Sequence, residues 1–379
     1  MTAPRLVHVI TGLETGGAEM MLLKLLSAAD PTRWQQSVIS LADRGPLRGR
    51  VADTGVVLTE LGVRGPVPSP QAVWRLLREV RRTSPMLIQG WMYHGNLAAM
   101  VAKWFVRQRI PVVWNIRYAP GPLAREKLST ATIIRMGALL SKRTASIIYN
   151  SHVGAARHAE LGYAAGRSVV IPNGFDTDSF APSRDARIEW RRRLGVTDSN
   201  VLIGRIGRYH EMKDYQTFLE AAALLVRDRP SVRFVVAGKG VDVRNRNLMT
   251  MISKMGLQEA VYVLGEVAAI NHLTASLDIA CSSSAYGEAF PSVLGEAMAC
   301  GVTCVTTDIG DSSRIVGQPA QIVPPRDPAA LAAACRALVD VGFAERFRRG
   351  AEMRARVVKE FSMARAVAAY EALYSEAVG

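Results

Sequence analysis

Glu288 and Glu296 stand eight positions apart in the stretch YGEAFPSVLGEAMACG, separated by an apolar run. Pro291 suits the first position of a helix whose body is SVLGEAMAC, with Gly301 ending it. Glu288 then lies in the loop ahead of the helix and Glu296 on its early turns. Ser292 and Val293 supply first-turn amides aimed at the same space, and free amides with the positive end of a helix dipole attract a phosphate. A carboxylate on either side would accept from paired hydroxyls, an interaction of value only where those hydroxyls are desolvated. The alternative is a capping glutamate plus a solvated one.

Three other stretches carry residues fit for chemistry. Arg208 and Lys213 lie five apart in GRYHEMKD, after the apolar run VLIGRI. A planar guanidinium fork and a compact ammonium together suit a diphosphate, although two surface cations would look the same. In TGLETGGAEMM, Gly16 and Gly17 let the backbone approach a ligand at a helix start. In GWMYHGN, His94 stands just past an apolar run, where a strand end could present it to a ligand. No metal site is expected. Cys281, Cys300, Cys304 and Cys335 form no CxxC pair and read as buried thiols behaving as small hydrophobes.

These residues need a scaffold that brings them to one edge. RLVHVIT, QQSVISL, VVLTEL, PMLIQGW, IPVVWNIR and ASIIYNS read as strands, several apolar on both faces, with helical patterns such as GGAEMMLLKLLSAAD and QAVWRLLREVRRT between them. VLIGRIGR, RFVVAGKG, VYVLGEV, IACSSS, VTCVTTD and AQIVP repeat the theme. Doubly covered strands alternating with helices imply parallel sheets, so an α/β fold with two layers in tandem is expected. Ligands bind such layers at the C-terminal ends of the strands, where all four stretches fall. The join is expected at VVIPNGFDTDSFAPSRD, dividing residues 1–172 from 173–360, with a closing amphipathic helix over about 361–379.

The 379 residues carry a net charge of +14, and 49% of them are hydrophobic, enough to fill two cores. Residues 1–180 hold 22 basic against 11 acidic side chains, so the excess belongs to the first half. An anionic membrane surface or an anionic small substrate suits that half. Nucleic acid is not expected, since no aromatic-plus-basic, zinc-finger or basic-zipper signature is present. The helix around WRLLREVRR is a candidate for weak peripheral membrane contact. No run approaches the roughly 18 to 20 apolar residues of a span. No secretory leader is read at the start, so the expected location is cytoplasmic, at most at the cytoplasmic face of the membrane.

Taken together, the motifs resemble one family. Gly207, Arg208 and Lys213 as GR-x4-K, followed by Glu288 and Glu296 as E-x7-E with Phe290 and Pro291 inside it, look like a retaining glycosyltransferase of family 4. GGAE at Gly16 to Glu19, IPNGFD at Ile171 to Asp176, VLGEV at Val263 to Val267 and TDIG at Thr307 to Gly310 support the match in order. The resemblance implies the GT-B architecture, two Rossmann-like domains facing each other across a cleft, with the last helix crossing back to the first domain. It implies that the first domain takes the acceptor and the second a nucleotide-diphosphate sugar, UDP expected ahead of GDP, with no further cofactor. Arg208 and Lys213 would neutralise the diphosphate, with Phe290, Pro291, Ser292 and Val293 beside it. Glu296 would hold the ribose and Glu288 the sugar; Gly16 and Gly17 would close over the phosphate end, His94 would lie near the sugar, and Val267 would meet the base through its backbone.

The implied reaction is metal-independent transfer of a hexose, with retention, to a lipid-linked or polysaccharide acceptor in cell-envelope glycan synthesis, the acceptor suited to carry phosphate. Asp176 and Asp178 spell D-x-D, but within the NG-x-D segment. Asp311 and Arg314 depart from the family pattern, as does Asp214 after Lys213. Two other readings compete: a non-hydrolysing nucleotide-sugar epimerase, which lacks a clustered acid–base pair here, and a catalytically silent nucleotide-sugar-binding subunit.

Overall fold

A computed structural model describes residues 3–65, 69–106, 110–123 and 126–379. The chain forms two compact units, Met1–Gly174 with Met363–Gly379, and Phe175–Ser362. The first contains, in chain order, β1 (Arg5–Ile10), α1 (Gly17–Ala28), β2 (Gln35–Ser40), α2 (Arg48–Ala52), β3 (Val57–Glu60), α3 (Pro70–Thr83), β4 (Leu87–Trp91), α4 (Met92–Phe105), β5 (Val112–Ile116), α5 (Leu128–Ser141), β6 (Ser146–Tyr149), α6 (His152–Glu160) and β7 (Ser168–Val170). The second contains α7 (Arg184–Arg193), β8 (Val201–Ile206), α8 (Tyr215–Asp228), β9 (Val232–Ala237), α9 (Arg246–Lys254), β10 (Val261–Val263), α10 (Ile270–Ala275), β11 (Ile279–Ser282), α11 (Ser292–Ala299), β12 (Thr303–Thr307), α12 (Ser312–Val316), β13 (Ile322–Val323), α13 (Pro328–Asp340) and α14 (Gly342–Phe361). The last helix, α15 (Met363–Val378), belongs to the first unit.

Both sheets are parallel. The first runs β3-β2-β1-β4-β5-β6-β7 and the second β10-β9-β8-β11-β12-β13. Their central strands are buried end to end, which is why they read as continuous apolar runs rather than alternating ones. In each sheet the strand order turns back once, between β1 and β4 and between β8 and β11. Neighbouring loops part there, opening a crevice at the C-terminal edge.

The first unit accepts α15 because its sheet leaves apolar and polar sockets on the α1 face. Tyr370 and Tyr374 are buried beside Trp34 and Trp91. Asn115 Nδ2 donates to the Tyr370 hydroxyl at 2.7 Å, and the Tyr374 hydroxyl donates to Gln89. The units divide after Gly174, two residues later than the Pro172 break suggests. Arg117 donates to the Asn173 side chain, and a β-carbon on Gly174 would stand 2.7 Å from Met363 Sδ, so both residues are bound into the first unit.

Glycine 295 shows how α11 is seated. A β-carbon there would fall on the ring of Phe175, which is 1% exposed and stacks on Phe290 with centroids 6.1 Å apart. The helix therefore gives up propensity at one position to let an aromatic ring lie flat against its backbone. All four cysteines are buried free thiols, and burial pushes the Cys300 thiol up to about 12.

Candidate active site

The turn after β8 and the loop after β11 meet at the crevice of the second sheet. Lys213 Nζ pairs with Glu288 Oε1, and both side chains are nearly buried. Ser284 Oγ donates to the same carboxylate oxygen at 3.0 Å. Burial holds the Lys213 ammonium below its ordinary range; Glu288 opposes that shift, while Arg205 and Arg208 add to it. Arg208 is exposed at the rim, its Nη2 3.6 Å from Met212 Sδ. Three cations and one carboxylate converge on one place, a local excess of positive charge.

The backbone around Glu288 is fixed from both sides. Ala285 N donates to the Met212 carbonyl at 2.8 Å and Asp311 N to the Ala289 carbonyl at 2.9 Å. Gly310, at φ +61°, passes so close to the Glu288 carbonyl that a β-carbon would collide with it. Asp311 is buried at the start of α12, whereas Arg314 is exposed.

Pro291 is the N-cap of α11 rather than its first residue, so the helix opens at Ser292 and the half-buried Ser292 and Val293 occupy its first two positions. Glu296 is half-buried on the following turn and Gly301, at φ +73°, follows the helix end. Phe290 departs from the expectation. The residue is 6% exposed and its ring packs between Phe175 and Phe361, so the side chain belongs to the core. Val267, half-buried, follows β10 at the same sheet edge. Asp176 turns its carboxylate on its own segment, accepting from Asp178 N, Ser179 N and the Ser179 hydroxyl.

In the first unit Gly16 caps α1, and Gly17 begins it with open space beside it. The Glu19 carboxylate folds back beside Gly16, and burial raises its pKa. His94 occupies the first turn of α4, largely exposed, with partial desolvation lowering its pKa. These residues lie at the helix starts that follow β1 and β4, the two strands flanking that sheet's own crevice. Met92, one residue beyond β4, adopts φ +59°, uncommon for a side chain of its size.

Three residues of the second unit escaped the sequence reading: Arg205, Ser283 and Ser284. Arg205 had a visible signal, a charge inside the apolar strand VLIGRI. The serines had none, since in IACSSS they read only as the end of a strand.

The sequence matches two family models in succession, Glycosyltransferase Family 4 over residues 15–179 and Glycosyl transferases group 1 over residues 200–340. The chain belongs to the family 4 glycosyltransferases. This glycosyltransferase is 24% identical over 325 residues to EpsF of Bacillus subtilis, named as a glycosyltransferase, covering 80% of this chain and 79% of that one. A phosphatidyl-myo-inositol mannosyltransferase of Mycobacterium leprae is 30% identical over 237 residues, 60% of each chain. Among solved structures, Anabaena Alr3699/HepE in complex with UDP superposes with a TM-score of 0.86 at 21% identity, covering 98% of this chain and 100% of that one. The same Anabaena protein with UDP-glucose gives 0.82 at 20% identity over 97% and 98%. The glycosyltransferase therefore has the GT-B fold.

Proposed function

We propose that this glycosyltransferase moves a hexose from a UDP-sugar to a lipid-linked or polysaccharide acceptor, with retention and without a divalent metal. The observation that carries the reading is the convergence of Arg208, Lys213 and Glu288 at the crevice between β8 and β11, at the N-terminus of α11. Breaking the anomeric C–O bond leaves a nucleoside diphosphate with growing negative charge. Arg208, Lys213 and the α11 amides are preorganised for that charge and supply the cations a metal would otherwise bring. Glu288 and Glu296 hold the hydroxyls of hexose and ribose on either side. The leaving phosphate takes the acceptor proton, so no separate base is required. UDP is favoured by the fold neighbour solved with UDP-glucose, and a lipid-linked acceptor by the mannosyltransferase relative.

Thermal melts with UDP, GDP and ADP test the donor. UDP at a hundred times its Kd is expected to add about 2.7 kcal/mol, with GDP and ADP adding less. Transfer from UDP-hexose should be unchanged by EDTA and give the anomeric configuration of the donor. No response to UDP, or an EDTA-sensitive or inverted product, would overturn the reading.

The outer face of the first unit suits an anionic membrane. Among the described residues no helix is long and apolar enough to cross a bilayer, so the contact would be peripheral. On α3, α4 and α5, Glu79 is the one acidic residue, while Arg75, Arg78, Arg81, Arg82 and Arg135, with Lys142 just past α5, are exposed. Large apolar side chains stand out between them, including Trp74, Phe105 and Leu139 at 56%, 60% and 77% exposure. Arg81 Nη2 donates to the Phe105 carbonyl and Lys103 Nζ to the Arg143 carbonyl, each at 2.9 Å, joining the three helices into one surface. Each cation near an anionic surface contributes about 1 kcal/mol. The protein should sediment with phosphatidylglycerol vesicles and not with phosphatidylcholine ones, and Phe105→Glu with Leu139→Glu should abolish it. Equal partition to both vesicles, or to neither, would refute the contact.

A further inference from the structure

A charge stands within an apolar strand. β8 reads VLIGRI, and Arg205 is 1% exposed although a buried guanidinium is costly unless paired. Among the described residues its partners are a hydroxyl, two carbonyls and a ring, with no carboxylate at ion-pair distance. Nη2 donates to the Lys213 carbonyl, Nη1 to the Ile206 carbonyl at 3.3 Å and Nε to Ser283 Oγ at 3.4 Å. The guanidinium carbon lies 4.3 Å from the centroid of the Tyr215 ring.

Those partners hold the same turn. Ser283 Oγ also reaches the Lys213 and Asp214 carbonyls, at 3.1 and 2.9 Å, and the Tyr215 hydroxyl donates to the Gly207 carbonyl. A β-carbon on Gly207 would stand 2.7 Å from Arg205 Nη1, so the guanidinium lies directly under the backbone that leads to Arg208. An apolar side chain would fill this space more cheaply. What it would lack is the charge and the fork of donors.

We propose that Arg205 is a positioning residue for the donor diphosphate: it pins the turn from Gly207 to Lys213 from beneath and supplies a buried positive charge that the bound anion compensates. This rests on the reading that Arg208 and Lys213 bind that diphosphate. Lys213 faces Arg205, Arg208 and Glu288, so two of its three charged neighbours repel it. The diphosphate relieves that repulsion, and part of its affinity comes from Arg205 without contact.

Calorimetric titration with UDP across pH, on Arg205→Met, Arg205→Lys, Ser283→Ala and Lys213→Ala, tests this. Arg205→Met is expected to raise the UDP Kd about tenfold or more, and Arg205→Lys, which keeps the charge, to recover part of that loss. Ser283→Ala, which loses bonds to the same turn but no charge, should raise Kd by a few fold. UDP binding weakens at high pH as Lys213 loses its proton. Arg205→Met should move that limb upward, because a repelling charge is gone while Glu288 and Arg208 remain; a purely structural residue would leave the limb in place. A folded Arg205→Met protein with Kd within twofold of the parent and an unmoved limb overturns the proposal. Should Arg205→Met not fold, Arg205→Gln, which keeps a donor but not the charge, takes its place, and parental affinity with an unmoved limb in that variant overturns the proposal. Parental affinity in Lys213→Ala would instead bring down the donor reading on which it stands.

Discussion

Glu288→Gln is expected to cut sugar transfer about a hundred- to a thousandfold while UDP binding survives or tightens. The two effects separate because Glu288 has two partners in turn. It neutralises Lys213 and accepts from Ser284. On the proposed reading a diphosphate would claim Lys213 and release the carboxylate to the sugar hydroxyls. Glutamine removes the charge that competes with the phosphate, so UDP loses a repulsive neighbour, but it offers a developing sugar cation far less than a carboxylate does. A pH signature accompanies this. Burial already holds the Lys213 ammonium below its ordinary range and Glu288 supports it. Without that support its pKa falls further, so UDP affinity of the variant should fade at lower pH than in the parent. Transfer and calorimetric titrations on one preparation settle it. A folded variant that transfers at the parental rate, or that no longer binds UDP, would remove Glu288 from the sugar.

Asp278→Ala is expected to cost about 3 to 5 kcal/mol of stability, the loss seen when one partner of a buried charge cluster is deleted. Asp278 precedes β11 with its side chain 4% exposed. Its carboxylate takes Arg187 Nη2 at 2.8 Å, Arg191 Nη1 at 3.0 Å and Leu202 N at 2.8 Å. Arg346 is also buried nearby and feels its charge. Deletion leaves Arg191 buried beside like charges, with only the exposed Asp198 at 3.8 Å in partial compensation, and orphans a strand amide. Urea denaturation should read the loss as a lower midpoint at unchanged slope. The UDP Kd of the folded variant should stay parental, because Asp278 sits at the N-terminal ends of β8 and β11, a full strand length from the crevice. A loss below about 1 kcal/mol would show the cluster to be a solvated surface pair in effect.

Much of this protein is written locally. Doubly apolar runs alternating with helical periods determine parallel sheets covered on both faces, since no other arrangement buries such strands. Helix starts after strands determine where anions can be held, which is why Arg208, Lys213 and the Ser292 amides could be named from type and position. Other features depend on partners far away in the chain. Phe290 looks like a site residue in sequence and is a core residue in the fold, because Phe175 and Phe361 arrive from more than 70 residues away to bury it. Pro172 suggests the break between units, but Arg117 and Met363 draw Asn173 and Gly174 into the first. Arg205 reads as an anomaly until Lys213, Ser283 and Tyr215 close around it. The sequence by itself determined the layers and the family. Only the tertiary structure decided that Lys213 and Glu288, 75 residues apart, hold each other. Pairing of charges depends on distance and desolvation, and neither exists before the strands are laid side by side.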